Sequence, residues 1–94
     1  MKMFSVYDSK VGAYLPPMFM RSRGEAIRSF ETAVKSEDHN FNKYASDYTL
    51  FELGSWDDET AKFDILATPL SLGVAVEFLQ PEKCEISGVE LNSK

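Results

Sequence analysis

The chain has 94 residues, of which 44% are hydrophobic, 13% aromatic and 27% charged. That is enough apolar material for one small domain, and it excludes a disordered or collagenous chain. The net charge of −5 is uneven, with seven cations against five anions in residues 1–45 and three against ten in residues 46–94; an acidic total argues against nonspecific duplex coating, which depends on neutralised phosphates.

One cysteine, Cys84, leaves no intramolecular disulfide, CxxC pair or zinc quartet, so a reducing, intracellular setting is expected. Lys2, Asp8 and Lys10 interrupt the N-terminus before a signal-peptide core can form, and the apolar run 72–76 stops at Glu77. A membrane span needs about 20 mostly apolar residues, so none is expected.

In chain order, residues 3–7 alternate with the period of a strand. Residues 8–12 supply a turn, and 13–20 return as an apolar partner. Pro16 and Pro17 lack two ladder donors, which predicts an edge strand or extended connector that becomes regular only around 18–20. Ser22 followed three residues later by Glu25 has capping-box spacing. Ala26, Ile27, Phe30, Ala33 and Val34 then follow the helical period, predicting an amphipathic helix over 23–35 with Ile27, Phe30 and Val34 in the core. Glu31 and Lys35 form an i, i+4 pair on its outside.

Residues 36–47 read as a polar loop with a helical turn anchored by Phe41 and Tyr44. Residues 48–53 and 61–67 read as a hairpin around a seven-residue acidic loop, 54–60, with Phe63, Ile65 and Ala67 on one face. Thr68 and Pro69 read as a helix cap and first-turn proline. Residues 70–79 fit both periods: a short helix is preferred for part of them, although Gly73 counts against it. The expected fold is therefore α+β, a small antiparallel sheet packed on one main amphipathic helix with a short C-terminal helix. It forms a single domain over 1–80 followed by a flexible tail over 81–94.

No GxGxxG, Walker or GxSxG motif is present. His39 reads as a solvated loop residue, because partners at catalytic or metal-binding spacing are missing. Asp57, Asp58 and Glu59 lack the spaced ligands and turn glycine of a calcium loop. Cys84 has no base beside it. No enzyme, cofactor or metal site is expected.

The informative cluster is Lys10, Tyr14, Phe19, Arg21, Arg23 and Arg28, where cations for phosphates alternate with rings that could stack on unpaired bases. The same residues also fit a core phenylalanine, an edge tyrosine and solvated arginines. Trp56, with Asp57 and Asp58, fits a protein contact or local packing better than a base stack, because its neighbours are carboxylates.

The strings MFSVYDSK at 3–10, AYLPP at 13–17, RSRGEAIR at 21–28, DYTLFELGS at 47–55 and SLG at 71–73 resemble the small nonstructural protein of microviruses, particularly the gokushovirus group. The likeness covers about residues 3 to 79. Members are described as DNA-binding and protein-C-like, compared with the microviral factor that turns duplex replication toward single-stranded synthesis and packaging. The resemblance implies a noncatalytic phage factor acting on single-stranded DNA in the host bacterial cytoplasm. Lys10, Tyr14, Arg21, Arg23 and Arg28 are the expected DNA contacts. The alternative is an adaptor that engages a viral or host replication protein through Trp56, Asp57 and Asp58 without touching DNA. A homodimer is also expected, since the core is small and the apolar segments 14–20 and 74–79 need covering.

Overall fold

The computed structural model describes residues 1–79, so the expected tail over 81–94, with Cys84, lies outside the described residues. Strand β1 (Lys2–Asp8) is followed by β2 (Ala13–Tyr14), β3 (Met18–Met20), helix α1 (Arg23–Lys35), helix α2 (Asn40–Lys43), a 3-10 turn (Ala45–Asp47), β4 (Tyr48–Trp56), β5 (Phe63–Val74) and a second 3-10 turn (Ala75–Leu79). The architecture is α+β: one antiparallel sheet in the order β2-β1-β4-β5, with one main helix. Both β2 and β3 pair with β1, which has β4 on its other side, so they are two pieces of one edge strand broken at Pro16 and Pro17.

Ser22 caps α1 by accepting the Glu25 amide on its hydroxyl at 3.1 Å. The Glu25 carboxylate reaches back to the Arg21 amide at 3.0 Å, one residue before the cap. The helix turns Ala26, Phe30 and Val34 onto Phe4, Val6, Tyr48 and Leu50 of the sheet, all buried, with Ile27 partly buried beside them. Fully burying a side chain such as Phe30 or Leu50 stabilises the fold by about 1.5 to 3 kcal/mol. Phe41 of α2 completes this core, its ring centre 5.4 Å from Phe30 and 4.7 Å from Tyr48. Tyr44, expected to anchor the same segment, is 57% exposed. His39 is a structural cap: its Nδ1 accepts the Phe41 amide at 3.0 Å.

The second hairpin departs from its expected form. Gly54, Ser55 and Trp56, assigned by composition to the loop, continue β4, because the β5 backbone crosses closely at Gly54. A Cβ there would collide with the Asp64 carbonyl oxygen and lie 2.9 Å from the Ile65 Cα. The connection shrinks to residues 57–62, closed by the Asp57 carbonyl accepting the Ala61 amide at 2.7 Å and the Asp57 carboxylate accepting that of Glu59 at 2.9 Å. The Glu59 amide, helped by donors from Thr60, holds the Asp57 carboxyl below the usual carboxylate range.

Thr68 and Pro69 do not start a helix. They lie inside β5, which runs to Val74, because residues 70, 71, 73 and 74 find cross-strand partners on β4. Only Ala75–Leu79 turns, as a 3-10 helix, with the Glu77 carboxylate accepting the Val74 amide at 3.0 Å. Gly73 (φ 145°) leaves room for Phe78, whose ring edges onto Phe30 at 5.6 Å between centres. Phe63, Ile65 and Ala67 are exposed rather than packed on α1, so the second hairpin meets the helix only through β4 and the residues around the final turn. Among the described residues no helix is long and apolar enough to cross a membrane.

Candidate nucleic-acid interface

In a regular strand, residues an odd number apart point to opposite faces. Two register shifts change that here. From Tyr7 to Phe4 β1 advances three residues, while its edge partners run from Tyr14 to Met18, four residues; the Pro16 and Pro17 segment holds the extra one. On the other side Phe4 faces Glu52 but Met3 faces Gly54, so β4 carries an extra residue at Leu53. Cross-strand partners share a face. Tyr14 and Phe19 therefore both lie on the side of Met3, Ser5 and Tyr7, and Phe51 and Trp56 join them there. Phe63, paired with Trp56, lies on the same side.

The result is six aromatic rings on the sheet face opposite α1. Tyr7, Tyr14 and Phe51 form one set, with ring centres 4.8, 6.5 and 5.7 Å apart. Phe19, Trp56 and Phe63 form the other, at 5.8, 6.5 and 6.5 Å. Tyr14, Phe19 and Phe63 are 45, 39 and 58% exposed, and such accessible rings can receive a planar ligand. Met3 and Ser5, on β1 between the two sets, are buried. The Ser5 hydroxyl donates to the Leu15 carbonyl, tying the proline-containing segment to the sheet. By their pairing, the residues on this face (Met3, Ser5, Tyr7, Tyr14, Phe19, Thr49, Phe51, Gly54, Trp56, Phe63, Ile65, Ser71 and Val74) are all uncharged.

The expected cations lie off this face, with Arg23 and Arg28 on α1. Arg21 follows β3 and shares a surface groove with Phe19; a second groove joins it to Arg28 beside Ser22 and Glu25. Neither arginine makes an ion pair among the described residues. Arg23 is committed elsewhere: its Nε donates at 2.7 Å to Glu52, whose side chain is only 6% exposed and which also meets the Lys2 ammonium at 3.5 Å. The half-exposed Arg23 side chain thus uses its Nε to neutralise a buried carboxylate. Lys10 sits on the β1–β2 turn and borders a hollow shared with Asp8 and Asp47, so its charge is partly balanced. At the helix N-terminus the Glu25 amide is taken by the Ser22 hydroxyl, and the Arg21 amide just before the cap by the Glu25 carboxylate.

Trp56, expected with Asp57 and Asp58 at a protein contact, has its ring centre 5.8 Å from that of Phe19. Tyr7, Phe51 and Phe63 were missed. The repeat of aromatic residues in every long strand was the available signal; the two extra residues that align them leave no trace in periodicity. No curated protein and no solved structure matches the chain. The model of the family described as Phage ORF5 protein matches residues 1–78, and the chain belongs to this family of phage proteins.

Proposed function

We propose that the chain is the noncatalytic, DNA-binding, protein-C-like nonstructural protein of a microvirus of the gokushovirus group. In this reading it binds single-stranded DNA in the host bacterial cytoplasm and assists synthesis or packaging of the viral single strand. The observation that carries the reading is the uncharged sheet face with six rings and Arg21 at its margin beside Phe19. Unpaired bases stack on rings without sequence readout, while a nearby guanidinium meets phosphate. A duplex hides its base faces, so the same surface favours single strands. In support, Arg21 and Arg28 line one groove, where both could meet phosphates, while Arg23 pairs with Glu52.

The adaptor reading draws on one observation, the exposed Phe63 beside Trp56 at the loop that holds Asp57 and Asp58, a combination suited to a protein partner. Titrating the protein with single-stranded and duplex oligonucleotides at two salt concentrations separates the readings. Single strands should bind more tightly and lose affinity with salt. A folded sample that binds neither at low salt makes the adaptor reading the leading one.

A further inference from the structure

We infer that the outer sheet face grips one DNA strand at two separate stacking stations, Tyr7/Tyr14/Phe51 and Phe19/Trp56/Phe63. This rests on the single-strand reading above and adds how the strand lies. Tyr14 faces Tyr7 and Phe19 faces Met3, four residues apart on β1, so the stations are separated by about 13 Å at the strand rise. The buried Met3 and Ser5 between them offer no ring.

Charge selects the occupant. The face itself is uncharged, and its margin next to the second station carries Arg21, which continues through a groove to Arg28. Lys10 stands on the turn that joins Tyr7 to Tyr14, its pull reduced by Asp8 and Asp47. Rings in the middle with guanidinium groups at one end suit a chain of flat bases on an anionic backbone. At that end Arg21 lies on the β3 side and Asp57 and Asp58 on the loop side beyond Trp56, so phosphates are held along the β3 side and kept off the loop. A strand stacked at roughly 3.4 Å per nucleotide crosses 13 Å in about four steps, so about five nucleotides reach both stations, and fewer do when the strand is extended.

Trp56 is the only tryptophan and reports on one station alone. Quenching of its emission by oligothymidylates from dT2 to dT8 should show a step of at least about tenfold in affinity as the second station is reached, complete by about dT5. Tyr14→Leu keeps apolar bulk at an exposed position but removes a ring. In that variant dT8 should still quench Trp56 while the step disappears, and a circular dichroism melt like the parent's shows that the fold is kept; Phe51→Leu provides the same check from β4.

Affinity that grows smoothly with length, or a step unchanged in both variants, overturns the two-station site while leaving DNA binding intact. No quenching at any length in a folded sample overturns the single-strand reading itself. Sedimentation showing a dimer that Tyr14→Leu dissociates would place a second copy on this face and also overturn the proposal.

Discussion

Tyr14 and Phe19 are five residues apart and nevertheless stand on the same side of the sheet, because the edge strand carries one more residue than β1 between their pairing positions. β4 repeats the device between Phe51 and Trp56 at Leu53. Gly54, beside that bulge, is where the β5 backbone comes closest. Gly54→Ala should force β5 away, lowering stability by about 1 to 3 kcal/mol and exposing Trp56. A urea titration followed by tryptophan emission checks both effects; an unshifted midpoint with unchanged emission contradicts the close crossing.

Phe30 is 2% exposed and touches the rings of Phe41 and Phe78. Phe30→Ala should cost about 3 to 5 kcal/mol, a large share of what a domain this size has. An unchanged melting temperature would contradict the placement of α1 on the sheet.

Arginines that looked equivalent should separate by experiment. Arg23→Ala leaves the buried Glu52 with only the Lys2 ammonium at 3.5 Å, and should lower stability by about 1 to 3 kcal/mol while leaving the salt dependence of DNA binding as it was. Arg21→Ala and Arg28→Ala should do the reverse. Each should flatten the slope of log affinity against log salt by about 0.7, the value for one phosphate contact on a single strand. Thermal melts and binding at several salt concentrations give the two readouts; equal effects from all three variants would refute the division.

Tyr48 supplies a pH test. Burial, and then the negative charges of Asp8 and Asp47, push its hydroxyl above its ordinary value of 10.0. The folded state therefore holds the proton more tightly than the unfolded state, so its contribution is complete below pH 10 and is lost as pH rises through the folded value. Tyr48→Phe should remove that part of the alkaline fall in stability. Denaturation midpoints between pH 8 and pH 11 measure it, and parallel curves for parent and variant would show that Tyr48 does not contribute.

The N-terminal half was largely legible. A capping residue, a helical stripe and a two-residue alternation are local signals, and they located β1, α1 and the interrupted edge strand. In the second half Thr68 and Pro69 imitate a helix start, and only the ladder with β4 decides that the strand continues. That ladder joins distant parts of the chain, which local periodicity does not register. The site failed to emerge for the same reason. Phe51 and Trp56 differ by an odd number, so simple alternation sends them to opposite faces, and the extra residue that reunites them is visible only in the register. Arg23 looked like a free cation because its partner, Glu52, lies 29 residues away.

Amide chemical shifts followed while dT8 is added to labelled protein test the outer face as the DNA surface most directly. The expected result is a continuous set of changes at Tyr7, Tyr14, Phe19, Arg21, Phe51, Trp56 and Phe63, with Phe30 and Val34 on the opposite side unmoved. Changes confined to the helix side, or none at a concentration where the strand is bound, would contradict it.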